Sequence, residues 1–203
     1  MRSLIGQYGF SDHKWPEKED EMQSWCKAIP KDGKAAKNYV KKCLHGMSGT
    51  IMSVTIYGAE KVARGYCNNP QERDAYMSRG KCGNKAKPGT TKCWNNIINV
   101  MTNIKHLNVS SAKIPSFCCS FFEWRDCTLN EFNKMGAPVC SQQDIEGFSS
   151  HISRGSLDPL NMLCADYDDS DKCDKIMDKI ERKPTTTRFR TMFPALMEMF
   201  DTL

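Results

Sequence analysis

The chain has 203 residues, 29 basic and 24 acidic, for a net charge of +5. That length admits one sizeable core or two small domains, and a charge so mild and diffuse excludes a protein built to hold nucleic acid by bulk electrostatics. No apolar run approaches the ~20 residues of a bilayer-spanning helix, so no transmembrane segment is expected.

The opening residues, MRSLIGQYGF, lack an apolar region long enough for a secretory signal; if the protein is exported, its leader is removed from or absent from this chain. Lys34 to Tyr66 reads as one or two helices with a break at HGMSGT. Lys34, Lys37 and Lys41 form a basic stripe there, which reads as a solvated face or as a surface for anionic lipid or glycan. IMSVTIYG has strand character but no second strand to pair with. In CNNPQERDAYMSRGKCG, Asn69 is the N-cap, Pro70 the first helical residue, Glu72 the capping-box position and Gly83 the stop. In KPGTTKCWNNIINVMTNIKHL, Trp94, Ile97, Ile98, Met101 and Ile104 make an apolar stripe at helical spacing.

KIPSFCCSFFEWRDC predicts a helix from Pro115 towards Gly136, with a second start offered by Thr128 and Glu131. SQQDIEGFSSHISRG opens with Ser141 capping towards Asp144 and stops at Gly155. LDPLNMLCADY restarts at Asp158 and Pro159, and SDKCDKIMDKIERK opens at Ser170 with acid early and base late, as the helix dipole favours. RKPTTTR cannot bury a face and reads as a linker. In FRTMFPALMEMFDTL, Phe189, Met192, Phe193, Leu196, Met197 and Phe200 share one side, and Pro194 starts or kinks the helix.

No period-two alternation is sustained. The expected fold is therefore all-α, a disulfide-stapled helical bundle of about seven or eight helices. Residues 1–181 form the disulfide-linked domain, 182–188 a linker, and 189–203 a C-terminal amphipathic helix that packs on the core or on a partner.

Eleven cysteines are the strongest signal: Cys26, Cys43, Cys67, Cys82, Cys93, Cys118, Cys119, Cys127, Cys140, Cys164 and Cys173. No C-x-x-C occurs, and none of His13, His45, His106 and His151 sits in a metal-binding pair, so disulfides are expected and a zinc site is not. An odd count leaves one thiol free, bonded to another chain, or without its partner. At about 100° per residue, with Phe117 at zero, Phe121, Trp124 and Phe132 fall near 40°, 340° and 60°. Cys118, Cys119 and Cys127 fall near 100°, 200° and 280°. This helix should present one aromatic face and be tied to three different neighbours as the central post of the bundle.

Catalytic and metal readings fail on missing roles. A double cysteine in a helix is a feature of secreted phospholipases A2, but CCSFFEWRDC lacks the histidine–aspartate pair and no calcium-binding glycine loop is present. ADYDDSDKCDK is acidic, yet counting from Asp166 the EF-hand glycine and glutamate positions hold Asp171 and Met177. Ser150 and His151 are neighbours facing different ways on a helix, and His151 reads as a surface residue. No catalytic residue, metal or cofactor is assigned. Asn108-Val109-Ser110 is a glycosylation sequon for a chain that passes the secretory route.

Twelve methionines and nine phenylalanines supply soft apolar surface, either as ordinary core or as an adaptable cavity. The cavity reading places a lipid-like ligand between Trp94, Ile98 and Met101 on one helix and Phe117, Phe121 and Trp124 on another. Insect odorant-binding proteins use a helical disulfide cage in this way, but their C-x-x-x-C spacing is absent.

The series KKCLHGM, YGAEKVARGYC, KCGNKAKPGTTKCWNNII, IPSFCCSFFEWRDC and LNMLCADYDDSDKCDKI resembles an arthropod family of secreted, cysteine-rich helical proteins. These are more distantly similar to insect haemolymph glycoproteins of unknown function. The likeness spans about Tyr39 to Ile180, and KCGN, CC-x7-C and DSDKCDK are its most specific blocks. It implies an extracellular fluid protein with a disulfide-tied helical fold and supplies no catalytic residues. The sequence thus leads to a secreted, non-enzymatic binding protein for an apolar small molecule or an extracellular protein. The rival is an assembly protein, a homo-oligomer joined through the odd cysteine; a hydrolase without a known motif is the weaker alternative.

Overall fold

The computed structural model describes residues 14–167, 170–180, 189 and 191–203, with side chains at all of these except 155–162 and 170. Among them the chain forms eight α-helices and no strand: α1 Glu19–Cys43, α2 Gly46–Asn68, α3 Pro70–Ser78, α4 Gly80–Ile104, α5 Ser110–Met135, α6 Gln142–Cys164, α7 Ser170–Met177 and α8 Met192–Phe200. A 3-10 turn, Ala165–Tyr167, joins the end of α6 towards α7. The fold is all-α and disulfide-stapled.

Local chemistry explains several boundaries. In α1, Glu19, Asp20 and Glu21 open the helix and Lys41 and Lys42 close it, both favourable to the dipole. Its buried stripe is Met22, Trp25, Ile29, Gly33, Ala36 and Val40. The break before α2 falls at Leu44–His45, beside the expected one. IMSVTIYG is helical: Met52, Ile56 and Ala59 are buried at helical spacing, and that burial outweighs the β-branched content. Asn69 caps α3 by accepting from the Gln71 and Glu72 amides, with Pro70 next. Ser141 and Asp144 form a reciprocal capping box on α6.

Other expected boundaries are corrected. Gly83 lies inside α4, and Pro115 lies inside α5, which begins at Ser110 and runs unbroken past Thr128 and Glu131. Pro30 and Pro88 also sit inside helices; both are exposed, where the carbonyl each leaves without an amide partner can meet water. The α5 helix does end before Gly136, which takes a positive φ of 60°. Gly155 does not stop α6, and Asp158 and Pro159 do not start a new helix. The segment is fixed at both ends, by the Ser141 cap and by Cys164 bonded into α5. The expected linker 182–188 lies outside the described residues.

The helices α1 and α2 form an antiparallel hairpin; α2 packs on α6, α6 on α5, α5 on α4, and α4 on α8. The core joins side chains of all these elements, with a smaller cluster around Phe132, Phe148, Cys82 and Cys140. Helix α8 is buried on most sides, including Ala195 and Met199 beyond the expected stripe. Phe200 meets Phe117 at 6.0 Å between ring centroids. Lys105 Nζ pairs with Glu198 at 2.6 Å, and the buried Lys113 donates to the Thr202 carbonyl and hydroxyl at 3.0 and 2.8 Å. A cation beside the carbonyls at the C-terminal end of α8 suits its dipole.

Candidate binding surface

Helix α5 is the post the sequence implied. Cys118 bonds Cys164 at the end of α6, Cys119 bonds Cys173 on α7, and Cys127 bonds Cys93 on α4. Cys26–Cys67 closes the open end of the α1–α2 hairpin, and Cys82–Cys140 ties α4 to the loop after α5. Cys43, exposed at the end of α1, is the eleventh and is free. Asn108 is exposed in the connection between α4 and α5. Among the described residues, no group of three or more His, Cys, Asp or Glu is placed to hold a metal ion, and no described helix is long and apolar enough to cross a membrane.

The six residues expected to line a ligand cavity do meet at the α4–α5 interface. Trp94 and Trp124 lie 4.3 Å apart between ring centroids, and Phe121 and Trp124 5.3 Å apart. Ile98, Met101, Phe117, Phe121 and Trp124 are buried, and Trp94 packs partly buried against them. Phe200 of α8 occupies the space beside Phe117. These side chains pack against one another, and neither of the two clefts described below is lined by any of them.

His151 is not a surface residue. It is 2 % exposed, because Phe148, His151 and Ile152 share the inward face of α6. Its Nδ1 lies 2.9 Å from the Tyr66 hydroxyl of α2. Around the pair stand Trp15 at 5.5 Å from the imidazole and Tyr76 at 5.8 Å. Trp15 belongs to the segment before α1. Its backbone amide donates to Asn84 Oδ1 at 2.9 Å, and Asn84 Nδ2 donates back to its carbonyl at 3.0 Å. A Cβ on Gly83 would lie 2.7 Å from the indole, so only glycine admits this strap. The Tyr66–His151 pair is closed over and supports the fold.

Burial, the largest influence, pushes the Tyr66 phenol up from 10.0. The folded protein therefore keeps this proton to higher pH than the unfolded chain. The stabilising contribution is complete below about pH 10 and is lost as pH rises through the raised folded value. Denaturant unfolding at stepped alkaline pH should show this decline, and Tyr66→Phe should flatten it. At neutral pH the same substitution should cost about 1 kcal/mol through the lost bond to His151.

Clefts on the described surface include two of note. One of about 780 Å³ lies between α5, the 3-10 turn and α7, where Arg125, Asp126, Glu131, Lys134 and Asp174 mix both signs of charge. The other, of about 550 Å³, runs along the α1–α2 hairpin and is lined by Ile29, Pro30, Lys34, Lys37, Asn38, Glu60 and Arg64. Here Lys37 Nζ meets Glu60 at 2.6 Å. Lys34 and Arg64 are exposed and have no carboxylate partner among the described residues.

Comparison with protein-family models, with curated proteins and with solved structures finds no match.

The hairpin stands apart from the rest of the surface. The hairpin, residues 19–68, holds eight basic and five acidic side chains, a net +3; three of the five acids, Glu19, Asp20 and Glu21, lie in the first turn of α1, and residues 26–68 alone hold eight basic and two acidic, a net +6. The positive charge is concentrated on the part of the hairpin beyond the first turns of α1. Among the described residues, four of the seven exposed large hydrophobic side chains, Tyr39, Met47, Val54 and Tyr57, lie on the hairpin too. Met47, Val54 and Tyr57 fall on the outward face of α2, spaced i, i+7 and i+10. The lysine stripe was visible from α1 alone. Glu60, Arg64 and Tyr57 were not, since their relation to it depends on how α2 folds back.

Proposed function

We propose that this is a secreted, extracellular binding protein without catalytic activity, and that it engages its ligand or partner through the outer face of the α1–α2 hairpin rather than an interior cavity. The observation behind this reading is the coincidence, on residues 26–68 of the hairpin, of a net +6 charge and four of the exposed large hydrophobic side chains among the described residues. Exposed apolar side chains gathered on a charged face are a feature of interaction surfaces. Five disulfides support an oxidising compartment. The resemblance of the cysteine blocks to a family of secreted, cysteine-rich helical arthropod proteins implies an extracellular fluid. Lysine acylation footprinting tests the reading, comparing the protein in its native fluid with the purified protein. Lys34, Lys37, Lys41 and Lys61 should react roughly severalfold more slowly in the fluid, while Lys85 and Lys92 stay unchanged. Equal rates at the hairpin lysines would contradict it.

A second reading is favoured by Cys43, exposed and unpaired in an otherwise fully bonded set. In it the protein is an assembly component joined between copies through this thiol. A dimer on non-reducing gels that is lost on reduction and in Cys43→Ser supports that reading; a monomer under both conditions counts against it.

A further inference from the structure

The hairpin cleft has a chemistry that narrows its ligand, if the hairpin is the binding surface as proposed above. Its floor is apolar, made by Ile29 and Pro30. Its walls are basic. On α1, Pro30, Lys34 and Lys37 recur at i, i+4 and i+7 along one edge; on α2, Glu60 and Arg64 recur at i and i+4 along the other. The single carboxylate is already neutralised by Lys37 at 2.6 Å. Lys34 and Arg64 therefore leave two cations on opposite walls with no carboxylate partner among the described residues. Tyr57, 58 % exposed, continues the α2 wall one turn beyond Glu60. The volume of about 550 Å³ is that of a small-molecule site.

We infer that this cleft binds a single-chain amphiphilic anion. The head, a carboxylate, phosphate or sulfate, sits between Lys34 and Arg64, and the apolar chain lies on Ile29 and Pro30. A purely apolar ligand would leave two cations desolvated without a partner. A small inorganic anion would leave the apolar floor unused. The free amphiphile is the occupant favoured over a bilayer, because the floor is apolar at two depths: Pro30 is exposed at its edge, whereas Ile29 is only 4 % exposed, below the reach of a flat membrane surface.

The test uses the intact oxidised protein and three ten-carbon probes, each below its micelle concentration: decanoate, decyl maltoside and decyltrimethylammonium. Amide chemical-shift mapping with decanoate should move residues 29–38 and 57–64. Decanoate should bind roughly tenfold or more tightly than the maltoside, as expected for charge-assisted bonds to the head. The trimethylammonium probe should not bind at that site. Lys34→Gln with Arg64→Gln should remove the advantage of decanoate, whereas Lys85→Gln on α4 should leave it intact.

Equal binding of decanoate and maltoside within the hairpin would overturn the inference and leave the hairpin reading standing. Mapping of decanoate to another face would overturn it as well. Capture by mixed phosphatidylglycerol–phosphatidylcholine vesicles without binding of monomeric decanoate would overturn the choice of a free amphiphile. Absence of any probe from the hairpin, together with unprotected hairpin lysines in native fluid, would remove the reading on which the inference rests.

Discussion

Removing both disulfides that tie α5 to the end of the domain should cost about 7 kcal/mol, more than the sum of removing each alone. Cys118–Cys164 and Cys119–Cys173 span 46 and 54 residues and overlap almost completely. With Cys119–Cys173 intact, Cys118 and Cys164 remain connected through a path of roughly ten residues, so losing their bond alone frees little chain and costs about 3 kcal/mol. The reverse single removal costs about the same. Removing both frees the whole segment and adds the cost of a long loop, about 4 kcal/mol. Against a net stability of about 5–15 kcal/mol, that total unfolds the protein or brings it to the edge. Urea unfolding of the two paired alanine variants and of the fourfold variant measures this coupling. Strictly additive losses would mean that the two bonds do not share a loop. Cys43→Ser is the control; as an exposed free thiol it should change stability by no more than about 0.5 kcal/mol.

The second large effect is at Tyr76, which is completely buried. Its ring meets Trp15 at 5.3 Å, Trp25 at 5.3 Å, Tyr66 at 4.5 Å and His151 at 5.8 Å. Those partners come from the strap before α1, from α1, from α2 and from α6, so one side chain of the short helix α3 joins four segments. Tyr76→Ala removes the shared surface and leaves a cavity that rigid aromatic neighbours cannot close, at about 4 kcal/mol. Tyr76→Phe keeps the ring and should recover most of that loss. Equilibrium unfolding gives the magnitude, and near-ultraviolet circular dichroism should lose aromatic signal in the alanine variant. A loss below about 1 kcal/mol in Tyr76→Ala would show that the cluster does not depend on this ring.

How much of this was legible in the sequence follows the range of the interactions. Asn69 with Pro70, and Ser141 with Asp144, are caps made within four residues, and both form as read. The divergent directions of Cys118, Cys119 and Cys127 follow from helix geometry alone, and three neighbours resulted. Pro115 and Gly155 were misread as boundaries because their local signals are outweighed by bonds and packing far along the chain. His151 was misread because its partner, Tyr66, is 85 residues away and the lid over it is Trp15. At the hairpin, the stripe of Lys34, Lys37 and Lys41 was legible. The exposed Arg64 and the Lys37–Glu60 pair that shape the cleft depend on the antiparallel return of α2, which no periodicity in α1 reports.

Everything above depends on α5 being cross-linked to α4, α6 and α7 in an oxidised helical protein. Peptide mapping of the native, unreduced protein after alkylation tests it most directly. The map should show Cys118, Cys119 and Cys127 linked to Cys164, Cys173 and Cys93, the pairs Cys26–Cys67 and Cys82–Cys140, and Cys43 outside all five. Alkylation of any of those ten thiols without reduction, or a bond from Cys43 to one of them, would contradict it.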